Sequence, residues 1–253
     1  MSVNVLFCIQ VSNLSTLSNV VEHLACIITT AITYVVSCRR VFFFLVRMGP
    51  YEALKEVQEH YYESIDIKHR KMVDKGKSGI ECNLQVETIL ASFGDIGSVV
   101  RSSSGVSIPS QFDMSLDLEA THFDLLVLGA DSIDKSDKTS MNYLKYHHDR
   151  GGSILTVCTG ASFVAELGLL NGTEATTNSL FIDTYRKEYP EVRWMDLADN
   201  LERRFVRSTP QITTTAGITA GIDGTLYQIQ EWCGKEVAEA TRQCLEWPLP
   251  IHD

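Results

Sequence analysis

The chain has 253 residues, of which 44% are apolar, 21% charged and 9% aromatic. That balance suits one α/β domain with a sizeable core and excludes disordered, collagenous and low-complexity classes. The formal net charge of −10 repels phosphate backbones, which argues against a nucleic-acid partner. Seven cysteines, at positions 8, 26, 38, 82, 158, 233 and 244, are odd in number and never form Cys-x-x-Cys. A disulfide framework or zinc ribbon is therefore not indicated, and a reducing, cytoplasmic setting is expected.

Ser2 to Ile9 (SVNVLFCI) reads as a short buried strand, with no positive charge ahead of it to make a signal peptide. From Val20 to Val46 the chain is strongly apolar but is split by Arg39 and Arg40. The first run falls short of the ~20 residues that span a bilayer, and paired arginines at the centre would cost several kcal/mol. A membrane partner is not expected. Pro50 to His60 is a helix candidate with Pro in its first turn, and Lys68 to Gly79 is a polar, basic loop.

Beyond that point strands and helices alternate. Val86 to Ser92 is a strand, Ser102 to Ser110 is turn-rich with an extended piece around Val106 and Ile108, and Phe123 to Leu128 is a central parallel strand ending at Gly129. Ser136 or Asp137 caps a helix through Arg150. Ser153 to Val157 is another central strand, and a helix carrying Phe163, Val164 and Leu167 follows. Gly172 turns the chain into Glu174 to Thr177; a helix over Ser179 to Tyr189 stops at Pro190, and Val192 to Met195 comes next. Late strands fall at Phe205 to Arg207 and Ile212 to Thr215. Ile222, Leu226, Ile229 and Cys233 make one helical stripe ended by Gly234, and a last helix carries Val237, Thr241, Cys244 and Leu245. This order predicts a doubly wound parallel sheet.

The chemistry concentrates in SILTVCTGASF. A buried strand runs into Cys158, which also opens a helix, so the side chain is lifted to the carboxyl edge of the sheet, where α/β ligands bind. Unpaired N–H groups at a helix start favour a thiolate, and Gly160 lets backbone pass close by. As a bare pattern this leaves packing and nucleophilic readings of Cys158 both open. Cys8, Cys233 and Cys244 fall on apolar strand or helix faces and read as packing residues. His147 and His148 read as solvated imidazoles. His252 is the single histidine after Cys158, so the downstream His-x-Glu of a glutamine-amidotransferase triad is missing. No metal-ligand spacing and no nucleotide-binding glycine motif is found, so no cofactor is expected.

The segments FDLLVLGA, GGSILTVCTGASFVAELGLLNGTEATTN and TTTAGITAGIDGTLYQI closely resemble the ThiJ/PfpI (DJ-one/PfpI) superfamily, whose fold is class I glutamine amidotransferase-like. Within it they are similar to the branch of bacterial isocyanide hydratases and of some transcription-factor sensor domains. The resemblance spans about residues 49–247 and implies a flavodoxin-like α/β sandwich, usually a homodimer. It implies that Cys158 is the elbow nucleophile, with Thr159 beside it, and that backbone at Gly129 and Ala130 helps form an oxyanion site. Gly160 and Asn178 complete the implied substrate-binding set.

Two departures stand out against that pattern. Asn178 occupies the place of a frequent pocket His and cannot act as a base near neutral pH. Val46 falls where relatives carry an acid ahead of the Gly49-Pro50 pair; Glu52 is present but belongs to the helix. Loss of that acid removes general acid/base help of about 10²–10⁴-fold. Residues 11–48 also replace a short turn with a stretch of nearly forty residues, apolar in character and unlike the rest of the chain, the pattern an unspliced intron would leave. The chain thus divides into an anomalous leader, 1–48, and a ThiJ/PfpI-like domain, 49–253. The expected function is cysteine-dependent hydration or hydrolysis of a small-molecule electrophile, isocyanide hydratase-like, the alternative being a redox-sensing or stress-response protein that uses Cys158 as an oxidisable thiol.

Overall fold

A computed structural model describes residues 2–8, 85–92, 99–101, 107–109, 112–113, 123–129, 135, 138–197 and 203–251. The expected Pro50–His60 helix, the Lys68–Gly79 loop, the apolar Val20–Val46 stretch, the cap residues Ser136 and Asp137 and site residue Ala130 lie outside them. Among the described residues no helix is long and apolar enough to cross a membrane.

Seven strands form one sheet. They are β1 (Ser2–Cys8), β2 (Gln85–Ser92), β5 (Phe112–Asp113), β6 (Leu125–Leu128), β7 (Ser153–Val157), β10 (Phe205–Arg207) and β11 (Ile212–Thr215). Their spatial order is β10-β11-β7-β6-β1-β2-β5. Counting only β1, β2, β6, β7 and β11, the order is second, first, third, fourth, fifth, the flavodoxin-like arrangement. β1 therefore sits inside the sheet, paired parallel with both β2 and β6. The sheet is not wholly parallel as expected: β10 runs antiparallel to β11 at one edge, where no crossover helix is needed. Two small ribbons stand apart, β3 (Val99–Arg101) with β4 (Ser107–Pro109) and β8 (Glu174–Ala175) with β9 (Arg193–Trp194).

Helices cover both faces. They are α1 (Lys138–Asp149), α2 (Ala161–Glu166), α3 (Ile182–Glu188), α4 (Ala220–Cys233) and α5 (Lys235–Cys244). Side chains alternate along β6 and β7 and so divide the core in two. Leu126, Leu128 and Ile154 pack with Met141, Tyr143 and Leu144 of α1 and Phe163 and Val164 of α2. On the other face Leu125, Val127, Leu155 and Val157 pack with Leu226 and Ile229 of α4 and Val237 and Ala238 of α5. Burial on both faces is why these strands read as unbroken apolar runs. Helix α4 lies close to the sheet at Gly224, where a Cβ would stand 2.5 Å from Thr215 Cγ2 and 2.9 Å from Leu155 Cδ1.

His147 corrects an expectation. It is 5% exposed rather than solvated, because Ser140, Tyr143, Leu144 and His147 recur at helical spacing on the buried side of α1. Its Nε2–H donates to the Ser153 carbonyl at 2.8 Å, and the ring lies so close over Gly152 that a Cβ there would overlap it. Cys233 is half-buried and packs on the α4–α5 side of the core.

Candidate functional site

β7 delivers Cys158 to the carboxyl edge of the sheet. Register pairs Leu128 with Thr156 and Thr215 with Val157, so the ends of β6, β7 and β11 lie side by side and Gly129 reaches the same edge. Cys158, Thr159 and Gly160 form one 3-10 turn that leads directly into α2. Val157 before it is extended, at φ −114° and ψ 129°. Cys158 itself has φ +57°, a left-handed conformation that costs a non-glycine residue of order 1–3 kcal/mol. The chain reverses from strand to helix through that one residue, as a nucleophile elbow does.

Three contacts hold the strained residue. The Thr177 hydroxyl donates to the Cys158 carbonyl at 2.9 Å. The Tyr185 hydroxyl donates to the next carbonyl, of Thr159, at 3.2 Å. Gly160 rests on the end of β6, where a Cβ would overlap the Leu128 carbonyl oxygen and fall 3.1 Å from that of Gly129. The residue type at 160 is thus fixed by close approach of two backbones. The structure brings Cys158, Thr159, Gly160 and Gly129 together.

Asn178 faces a local task. Its Oδ1 accepts the Leu180 amide at 3.0 Å and caps the 3-10 turn Ser179–Phe181. An amide in that place cannot act as a base near neutral pH. Thr159 is half-buried. Cys158 is 2% exposed and joins the apolar cluster of Leu125, Val127, Leu155 and Val157, with Ile218, Ile222, Leu245, Trp247 and Ile251 packed over that cluster. The thiol expected to be reachable at the rim is thus on a buried residue, within an apolar core cluster.

Reading the sequence alone missed Thr177 and Tyr185. Thr177 lies in the EATTN segment, whose pattern draws attention to the following residue. Tyr185 sits on α3 within an aromatic cluster, its ring 5.2 Å from that of Trp194 and 5.7 Å from that of Tyr189. Tyr189 in turn donates to Glu166 Oε2 at 3.0 Å and accepts from Lys135 Nζ at 2.7 Å. Burial pushes the Lys135 ammonium down, against the charges of Glu166 and Glu188.

Comparison with known proteins gives a consistent picture. The sequence pattern of the DJ-1/PfpI family matches residues 50–229. An uncharacterized protein in the cpoL 5' region of Streptomyces lividans is 34% identical over 96 residues, 37% of this chain and 67% of that protein. The isonitrile hydratase of Pseudomonas putida is 29% identical over 118 residues, 46% of this chain and 48% of the hydratase; the match thus spans about half of that enzyme's length. Among solved structures, Drosophila melanogaster DJ-1beta superposes with a TM-score of 0.61 at 14% identity, covering 97% of this chain and 98% of its own.

Proposed function

The chain belongs to the DJ-1/PfpI family, and from that premise we propose that it is a cysteine-dependent hydratase of a compact electrophile, an isonitrile first of all. The observation that carries this reading is Cys158 at φ +57° on the turn from β7 into α2. Such strain persists in folded chains where the surroundings over-determine it, and it clusters at functional sites. Resemblance to an isonitrile hydratase supports the substrate class.

In the proposed reaction the Cys158 sulfur attacks the terminal isonitrile carbon, and that carbon takes up a proton to give a thioformimidate. Water adds to this carbon, the C–S bond breaks, and the formamide leaves with the thiol restored. Net, one water is added to the isonitrile. Amides at Gly129 and Ala130 would hold the charge that develops on the substrate, and the Thr159 hydroxyl would orient the thiol or the substrate. Gly160 keeps the backbone close, and Asn178 would border the substrate. The protein is proposed to work as a cytoplasmic homodimer.

The test is turnover. Purified protein should convert cyclohexyl isocyanide to its formamide, and Cys158→Ala should abolish the reaction; no formamide from the folded wild type sinks the proposal. A second reading is favoured by the commitment of Asn178 to a cap and by Val46 in place of the acid. In it Cys158 is an oxidisable thiol whose sulfur attacks a peroxide oxygen, forming sulfenic acid and releasing water. Selective oxidation of Cys158 without turnover would establish that reading instead.

A further inference from the structure

The elbow is clamped from outside itself, through two successive carbonyls. Thr177 Oγ1 binds that of Cys158 at 2.9 Å and Tyr185 Oη that of Thr159 at 3.2 Å. Neither donor is neighbouring in sequence: they lie 19 and 26 residues on. The Thr177 segment is itself anchored on both sides. The Thr176 amide donates to Thr214 Oγ1 on β11 at 2.9 Å, and the Thr176 hydroxyl donates to the Met195 carbonyl at 2.8 Å. Thr176 and Thr177 are 0% and 1% exposed.

We propose that Thr177 is a positioning residue for Cys158: its hydroxyl, on a segment pinned between β11 and the end of β9, fixes the strained turn that presents the sulfur. A donor that floated with the elbow would satisfy the Cys158 carbonyl equally well in a relaxed conformation. A donor fixed to β11 does not. It selects the left-handed conformation, and with it the direction of the Cys158 Cα–Cβ bond and the place of the sulfur against the start of α2. Tyr185 repeats the arrangement one residue on, from α3. The inference rests on the reading of Cys158 as the reactive thiol but is independent of its substrate.

The test is the pH profile of Cys158 alkylation by iodoacetamide in the full chain, quantified by peptide mass. Thr177→Val keeps shape and removes the hydroxyl. It should slow alkylation about tenfold, roughly the effect of 1.4 kcal/mol, and move the pH midpoint, while Thr177→Ser should restore both. A folded Thr177→Val protein whose profile superimposes on wild type overturns the proposal. Should Thr177→Val fail to fold, Tyr185→Phe carries the test: a smaller shift in the same direction supports the clamp, and an unchanged profile overturns it. Alkylation reads the sulfur alone. Absent isonitrile turnover with an intact Thr177 effect would remove the hydratase reading and leave the clamp, and turnover with no Thr177 effect would do the reverse.

Discussion

The indole N–H of Trp247 donates to Asp223 Oδ1 at 2.8 Å, tying the segment after α5 to the first turn of α4. Arg204 completes the junction. Its Nη1 lies 3.0 Å from Asp223 Oδ2, its guanidinium stands 5.7 Å from the centre of the Trp247 ring, and it donates to the Thr219 hydroxyl. Because Asp223 and Arg204 side chains are only 10% and 16% exposed, removing one charge strands the other in a poorly solvated place. Asp223→Ala should lower stability by about 3 kcal/mol in urea unfolding, near the low end for a buried pair. Trp247→Phe, which removes one hydrogen bond, should cost about 1 kcal/mol. Equal effects of the two variants would contradict this account.

His147 gives a second, separable test. Its Nε2–H serves the Ser153 carbonyl at the corner where α1 turns back into β7. His147→Leu keeps bulk and removes that hydrogen bond, while the Ser153 carbonyl keeps its place in the β6–β7 ladder, a loss of about 0.5–1.5 kcal/mol. The corner lies at the opposite end of β7 from Cys158, so thermal denaturation should register the loss while Cys158 alkylation does not change.

Gly160→Ala tests the close approach at the elbow. The new methyl would meet the Leu128 and Gly129 carbonyl oxygens, which are backbone atoms and cannot swing aside. Forced separation should cost about 1–3 kcal/mol and reduce Cys158 reactivity together. Reactivity equal to wild type in this variant would show that Gly160 does not fix the turn.

Tyr189 sets an alkaline limit. Burial, the hydrogen bond to Glu166 and the charges of Glu166 and Glu188 raise its phenol well above the ordinary value of 10.0. The unfolded chain then ionises first. Stability tied to this group is intact below pH 10 and is lost as the pH rises toward the raised folded value. Tyr189→Phe should flatten that part of the alkaline stability profile; an unaltered slope in the variant would contradict it.

Much of this arrangement is legible in the sequence, for physical reasons that differ by element. β6 and β7 are buried on both faces, so they appear as apolar runs bounded by glycine, and Ile212–Thr215 is found where expected. The stripe Ile222, Leu226, Ile229 and Cys233 marks α4 directly. His147 reads as solvated from its residue type, whereas its place on the Ser140–Leu144 face buries it. The Thr177 and Tyr185 contacts are invisible to any local pattern, since they join carbonyls to hydroxyls far along the chain. The antiparallel β10 is equally silent: pairing direction depends on the Ser208–Gln211 turn, not on the strand's composition. Of the leader, β1 belongs to the main sheet, between β6 and β2, and residues 11–48 lie outside the described residues; peptides covering residues 11–48 in the native protein would remove the intron reading.

The central claim is that the Cys158 sulfur is the reactive group of the fold. Site-resolved mass spectrometry of the native chain after brief exposure to an electrophilic probe at neutral pH tests it most directly, with half-buried Cys233 as an internal control. The account predicts that Cys158 is labelled ahead of Cys233. Labelling of Cys233 with Cys158 untouched until the chain is unfolded would contradict it.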